Sequence, residues 1–195
     1  SVHWSEPGRE LWHPAPGFYY QPGRGPLFDM GPYYLTSLVT LFGSVVRVSG
    51  IATRSRRQRT IATGPSAGSP IPVDVDTHVS ALLEHENGVA SSVTMSFEVW
   101  ASRVPLFEVY GTAGTIAVPD PNGFSDPVEL YTADTREWRT LRAAAGYPDA
   151  SRGFGLADLA RAIENRAAHA RRAGSAWPDV GWLWYELGLT SPLAA

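Results

Sequence analysis

The apolar pattern of this chain changes its period at Gly43, and that change limits the folds open to it. Residues 30–42 place apolar side chains at the three- and four-residue spacing of a helix, and Pro32 fits there only in a first turn. Short strand-like segments follow at 45–53, 59–63, 77–86, 89–98, 106–110, 115–118, 128–132 and 137–141, and helical spacing returns at 156–168. This order has no alternation of strand and helix, so it predicts an α+β fold rather than a parallel α/β sheet.

The clearest local signal is the dipeptide Asn87-Gly88 between two strand-like segments. Such a pair favours a two-residue hairpin turn. In the second arm Val93, Met95 and Phe97 alternate with small polar residues, as expected for an antiparallel sheet with one buried face.

Composition excludes several classes of function. The 195 residues carry a net charge of −3 and no cysteine, so we expect no nucleic-acid partner, no disulfide and no thiol chemistry. No apolar run is long enough for a membrane helix and no signal peptide is visible, so we expect a cytoplasmic protein without a membrane partner. All 16 basic residues are arginine. A reaction that needs a lysine must therefore take it from outside this chain.

Asp29 and Tyr33 form the first candidate site. They are four residues apart at a predicted helix start, a spacing that places an acid and a phenol on one helical face. An acid beside a hydroxyl suits carbonyl and alcohol redox chemistry when a hydride carrier is supplied. The alternative is that Asp29 caps the helix and Tyr33 is a packed aromatic residue.

Further candidates are aromatic or imidazole side chains. Trp12, His13, Tyr19 and Tyr20 could hold a sugar by stacking and hydrogen bonds, or they could cover an edge of the sheet. His78 starts a strand on the face opposite Val79 and could enter a site, or it could be a hydrogen-bonded structural histidine. The five histidines show no metal-ligand spacing, so we expect no metal site.

One basic segment, residues 54–59, holds four arginines. It could meet a phosphate, although a solvated loop is the simpler interpretation because no aromatic platform accompanies it.

Several motifs together resemble the second domain of the glucose–fructose oxidoreductase/inositol dehydrogenase/MocA (Gfo/Idh/MocA) family. The resemblance runs through residues 10–169, and the run 25–34 is its most specific part. The motifs are Trp12-His13-Pro14, Phe18-Tyr19-Tyr20-Gln21-Pro22-Gly23, Gly25-Pro26-Leu27-Phe28-Asp29-Met30-Gly31-Pro32-Tyr33-Tyr34-Leu35-Thr36, Thr77-His78-Val79 and Tyr110-Gly111-Thr112-Ala113-Gly114-Thr115.

The resemblance implies a large, open, mostly antiparallel sheet with helices on one face. It also implies an N-terminal Rossmann domain that binds NAD or NADP, and that domain is not in these 195 residues. By resemblance, residues 1–195 form the C-terminal substrate-binding domain of a two-domain oxidoreductase that acts on a sugar, inositol or related polyol. A homo-oligomer built through the sheet is implied as well.

Carried over residue by residue, Asp29 matches the acid of the family's catalytic set, and Tyr33 stands where the family usually has a histidine. Trp12, His13, Tyr19, Tyr20 and His78 would line the substrate pocket. The chain departs from the family in its tail, residues 173–195, which does not read as the usual long helix. We expect the isolated chain to be inactive. A non-catalytic carbohydrate-binding or assembly domain is the alternative.

Overall fold

The computed structural model describes residues 1–124, 126–141 and 153–164. The described residues fall into two compact units, residues 1–106 and residues from 107 onward, and each unit is described by itself. The atypical tail at 173–195 and the end of the last predicted helix, 165–168, lie outside the described residues.

The first unit contains two helices and six strands. The helices are α1 (Pro26–Asp29) and α2 (Gly31–Phe42). The strands are β1 (Val2–Ser5), β2 (Val45–Thr53), β3 (Gln58–Thr60), β4 (Pro70–Pro72), β5 (His78–His85) and β6 (Ala90–Ser96). Short 3-10 turns occupy Arg9–Leu11 and Pro16–Tyr20.

The main sheet of this unit has the order β1-β6-β5-β2. The pairs β6–β5 and β5–β2 are antiparallel, whereas β1 runs parallel to β6. Strands β3 and β4 form a separate two-stranded ribbon. The second unit contains β7 (Glu108–Tyr110), β8 (Gly114–Ala117), β9 (Val128–Thr132), β10 (Trp138–Leu141) and α3 (Phe154–Glu164), with its strands in an antiparallel sheet ordered β10-β9-β8-β7.

The predicted α+β class is confirmed. In the described residues, the strands predicted to form one large open sheet form two four-stranded sheets, one in each unit. Predicted strands at 45–53 and 128–132 keep their bounds as β2 and β9. The hairpin at Asn87-Gly88 is confirmed, because β5 and β6 pair across it, and Gly88 has φ +82°, a left-handed conformation that glycine adopts without steric cost. Its turn is longer than the predicted two residues, since the His85 N–H donates to the Val89 carbonyl and three residues, 86–88, lie between them.

Two strands were missed. The sequence pattern predicts no strand before residue 45 and none at 70–72, yet β1 and β4 form there. Both are only three or four residues long; β1 pairs with β6, 91 residues later, and β4 pairs with β3, 10 to 14 residues earlier. A short strand of that kind leaves too few residues for a period to be recognised.

The core of the first unit is formed by α1, α2 and one face of its sheet. Tyr34, Leu35 and Leu38 are buried on α2, and α1 lies against β5 and β6. The buried residues of β5 are Val79, Ala81, Leu83 and His85, which alternate with more exposed ones. We call the face that carries these residues the inner face. Of the opposite outer face, Leu82 is 64% exposed and Ile51 63%.

Among the described residues, no helix combines the length and the apolar character that crossing a bilayer requires.

Candidate functional site

Asp29 ends α1, and α2 begins two residues later at Gly31. The residue at the cap position of α2 is Met30, and no side chain caps that helix. The interpretation of Asp29 as a helix cap is therefore wrong. The Asp29 carboxylate instead bonds a side chain from elsewhere in the chain.

Gly25 makes this placement of Asp29 possible. It precedes Pro26, the first residue of α1, and has φ +99°. A Cβ at this position would lie 2.9 Å from the carbonyl oxygen of Asp76. A larger residue would therefore meet both backbone strain and a clash. The Asp29 N–H closes α1 by donating to the Gly25 carbonyl at 3.0 Å.

Arg9 is the partner of Asp29. Its Nε donates to Oδ2 of Asp29 at 3.0 Å, and its Nη2 bonds the same oxygen. The Nη1 of Arg9 donates to Oε2 of Glu6 at 3.2 Å. One guanidinium thus lies between two carboxylates, and the three side chains together carry a net charge of −1.

Aromatic rings surround this guanidinium. The Cζ of Arg9 lies 5.3 Å from the ring centres of Trp4, Trp12 and Tyr19, and 5.5 Å from that of Phe97. At these distances ring faces attract a cation, more strongly where water is excluded. We call Glu6, Arg9, Asp29 and these four rings the Arg9 cluster.

Burial and charge shift the acidity of two groups in the Arg9 cluster. Burial raises the pKa of Glu6, and the negative charges of Asp29 and Glu10 add to this, while Arg9 and a hydrogen bond with Trp12 oppose it. Burial also raises the pKa of the Tyr19 phenol, again with a contribution from Asp29. Both shifts follow from placing acids together in a partly dry site.

Trp12, His13 and Tyr19 are brought together, as the aromatic prediction requires. The His13 ring lies 5.4 Å from both Trp12 and Tyr19, and 5.6 Å from Phe18. Trp12 is 53% exposed, so it offers a ring face at the surface. His13 Nδ1 accepts the N–H of Ala15 at 3.1 Å, which fixes the orientation of the imidazole.

Tyr33 lies half-buried in the first turn of α2. Tyr33 follows Asp29 by four residues, but Asp29 ends α1 and Tyr33 belongs to α2, so the predicted sharing of one helical face stays a prediction. Its carbonyl accepts the Ser37 hydroxyl at 2.9 Å, one turn further along α2.

Tyr20 does not join the predicted pocket. Its side chain is fully buried, and its hydroxyl donates to Glu10 and accepts the Arg9 N–H at 3.0 Å. A ligand cannot reach this ring in the present structure. We correct its predicted role as a substrate contact accordingly.

His78 is not part of the Arg9 cluster either. It alternates with the buried inner-face residues of β5, so it lies on the outer face of the sheet. There its Nδ1 bonds Ser96 at 2.9 Å and its Nε2 bonds Ser80 at 3.1 Å. The structure therefore supports the alternative of a hydrogen-bonded structural histidine.

Sequence reasoning missed Arg9 and Glu6. Arg9 is 20 residues from Asp29, and no spacing rule links them. It also misjudged Arg59 within the basic segment, because the Arg59 side chain is 1% exposed. A guanidinium can be buried in this way only when carboxylates and carbonyl oxygens receive it, and here Glu10, Glu98 and Phe97 do so.

An open groove of about 260 Å³ runs beside α1. It contains Leu27 and Phe28 of that helix but none of the predicted site residues. We place the candidate site at the Arg9 cluster rather than in this groove, because the cluster combines acids, a cation and rings in one place. In the described part of the chain, no three acidic or imidazole side chains gather as metal ligands.

Comparison with family models gives one match, to the GFO/IDH/MocA C-terminal domain, over residues 1–117. The chain belongs to the GFO/IDH/MocA family. The matched region contains the whole Arg9 cluster together with Tyr33. No curated protein matches the chain in sequence.

Solved structures agree in fold with this family assignment. An NAD-binding oxidoreductase from Klebsiella pneumoniae is 18% identical with a TM-score of 0.71, covering 95% of this chain and 55% of its own. Levoglucosan dehydrogenase in complex with NADH and levoglucosan is 19% identical with a TM-score of 0.64, covering 96% and 54%. An oxidoreductase from Agrobacterium radiobacter in complex with NAD+, L-tartaric acid and magnesium is 14% identical with a TM-score of 0.61, covering 95% and 53%.

The chain therefore spans about half the length of the solved relatives. Neither the sequence nor the described residues show a Rossmann-type dinucleotide site. The sequence has no Gly-x-Gly-x-x-Gly turn after a strand, and the described sheets have a single parallel pair, β1–β6. The chain is a C-terminal domain of an oxidoreductase family.

Proposed function

We propose that this chain is the substrate-binding and catalytic half of an NAD(P)-dependent oxidoreductase that acts on a sugar, inositol or related polyol in the cytoplasm. The observation that carries the proposal is Asp29 held by Arg9 inside a wall of aromatic rings. Family membership supports the reaction class, and the levoglucosan and NADH in a relative's complex support the substrate and cofactor classes. NAD or NADP would be bound mainly by an N-terminal Rossmann domain.

Asp29 would orient a substrate hydroxyl. Both bonds from Arg9 fall on Oδ2, and among the described residues no hydrogen bond reaches Oδ1. A carboxylate oxygen can accept the O–H of a polyol, and a fixed acceptor holds that hydroxyl in one direction. Arg9 would prevent the carboxylate from turning away.

Tyr33 would exchange the proton. In the direction of carbonyl reduction its phenol would donate a proton to the carbonyl oxygen as that oxygen becomes a hydroxyl. In the reverse direction the substrate hydroxyl would return the proton to the phenolate. When bound, the nicotinamide supplies the hydride exchange at the substrate carbon.

Trp12, His13 and Tyr19 would form the wall on which a sugar ring lies. The apolar C–H face of a pyranose or inositol packs well on aromatic rings, while its hydroxyls need acceptors such as Asp29. The net negative charge of the Arg9 cluster favours a neutral polyol over an acidic substrate.

The test uses the complete protein with a panel of sugars and inositols and each nicotinamide cofactor. We expect Tyr33→Phe and Asp29→Asn to lower kcat on the order of 10²-fold or more, a typical contribution of one acid–base group. Tyr110→Phe is the matched control, because Tyr110 is an exposed tyrosine bonded to Glu108 rather than to the Arg9 cluster. Unchanged turnover in Tyr33→Phe would remove Tyr33 from the mechanism.

The alternative, a non-catalytic carbohydrate-binding domain, has one observation in its favour, the exposure of Trp12 and Phe18. Assays of NAD(P)-dependent activity and of sugar binding by the complete protein distinguish the two functions, whereas the isolated 195 residues test only the division of labour between domains. We expect those residues to bind no NAD(P)H and to catalyse no oxidation. Sugar binding by a complete protein that lacks any redox activity would favour the alternative.

We also propose a homo-oligomer through the outer face of the first sheet, where Leu82 and Ile51 are exposed. Sedimentation of the complete protein tests this proposal. A monomer at micromolar concentration contradicts it.

A further inference from the structure

Tyr20 joins a buried acid to the main chain of Arg9. Its hydroxyl donates to Oε2 of Glu10 and accepts the N–H of Arg9 at 3.0 Å. The ring is fully buried and meets the Phe97 ring edge-on at 5.9 Å between centres. One hydrogen bond thus connects the Tyr20 hydroxyl to Arg9, whose guanidinium binds Asp29.

Arg59 holds the same region from the other side. Its Nη1 donates to the Pro7 carbonyl at 3.0 Å and bonds Oε1 of Glu10. Its Nη2 donates to the Phe97 carbonyl at 2.8 Å, and the guanidinium lies 5.2 Å from the centre of the Tyr20 ring. One buried cation therefore ties the chain around residues 7–10 to Phe97.

Both ends of this network meet at Arg9. Tyr20 holds the Arg9 backbone, and Arg59 holds the backbone of Phe97, whose ring is part of the wall around the Arg9 guanidinium. A shift in either backbone would move the guanidinium relative to Asp29. Buried hydrogen-bonded networks are stiff, because each lost bond leaves an unsatisfied polar group.

We infer that Tyr20, together with Glu10 and Arg59, is a positioning residue that sets where Arg9 meets Asp29. This inference rests on the proposed function. In this inference Tyr20 supports Arg9, whereas the sequence predicted that it contacts the substrate. Within the described residues, the Tyr20 hydroxyl bonds only Glu10 and Arg9, so that hydroxyl acts on the site through Arg9.

The test is Tyr20→Phe in the complete protein, which removes one oxygen and keeps the ring. We expect kcat for polyol oxidation to fall about tenfold, less than the loss of about 10²-fold linked to a 1 Å displacement of reacting groups. We expect the KM for the nicotinamide cofactor to stay unchanged. Hydrogen exchange at the Arg9 backbone amide should be at least ~10-fold faster, because this amide loses its hydrogen-bond acceptor.

Tyr34→Phe is the matched control, since Tyr34 is equally buried but lies on α2. We expect it to leave kcat and the Arg9 amide within about twofold of the wild type. A kcat in Tyr20→Phe within twofold of the wild type would overturn the inference. An equal fall of kcat in both variants would also overturn it, because that result shows general loosening of the core.

Failure of the proposed function gives a different result. A complete wild-type protein without any NAD(P)-dependent activity refutes that function. The exchange rate of the Arg9 amide in Tyr20→Phe still decides whether Tyr20 positions Arg9, and an unchanged rate overturns the inference.

Discussion

Replacing Arg59 by methionine tests the energetics of the buried network. Arg59 is 1% exposed, and its partners Glu10 and Glu98 are 4% and 13% exposed. Methionine keeps an apolar stem of similar length but leaves two carboxylates without their cation. Removing one member of a buried ion pair costs about 3–5 kcal/mol, because the remaining charge stays in a poorly solvated place.

Arg47→Met is the matched control. Arg47 pairs with Glu84 across β2 and β5, but these side chains are 74% and 43% exposed. Exposed pairs contribute about 0–1 kcal/mol, since water already solvates both charges. The expected difference between the two arginine variants is therefore at least ~2 kcal/mol.

Urea unfolding of the complete protein, followed by circular dichroism, measures both variants. The midpoint should fall much further for Arg59→Met than for Arg47→Met, with similar slopes. The cost of Arg59→Met should shrink at acidic pH, because protonated carboxyls no longer need a counter-charge. Equal midpoints for the two variants would refute the assignment of Arg59 as a buried, charge-compensating residue.

Three further predictions concern the fold. Leu38→Ala should lower the free energy of unfolding by about 2–5 kcal/mol, because Leu38 is fully buried. Leu41→Ala, at an exposed position of the same helix, should lower it by under ~1 kcal/mol, and urea unfolding midpoints compare the two variants. Gly88→Ala should cost about 1 kcal/mol more than Gly17→Ala by thermal unfolding, because Gly88 has φ +82° and neither site has neighbours to clash with. Burial alone would raise the pKa of Glu98, but hydrogen bonds and a neighbouring arginine outweigh burial and lower this pKa. The ionised Glu98 therefore stabilises the fold fully above the pKa of an unfolded glutamate, and this stabilisation is lost as the pH falls. The difference in stability between wild type and Glu98→Gln should thus shrink below pH ~4, and a constant difference from pH ~7 to ~3 would contradict the shift.

Much of the fold follows from the sequence because short-range spacing is a local property. The helix at α2, the long strand β2 and the hairpin at Asn87-Gly88 each follow from contacts between residues two to four apart. Such patterns survive in any tertiary setting that offers one buried face. The sequence also shows Asp29 and Tyr33 four residues apart, but they lie on different helices, so a shared helical face and a role in catalysis both stay predictions.

Only the tertiary structure decided which side chains meet. It brought Arg9 to Asp29 across 20 residues, paired β1 with β6, buried Arg59 from within a polar segment, and placed His78 on the outer face. None of these has a local signature, because a contact between distant residues depends on how elements pack and on which buried charges find partners. The acid and phenol at the start of the helix were visible in the sequence, while the arginine and rings that hold the acid in place were not.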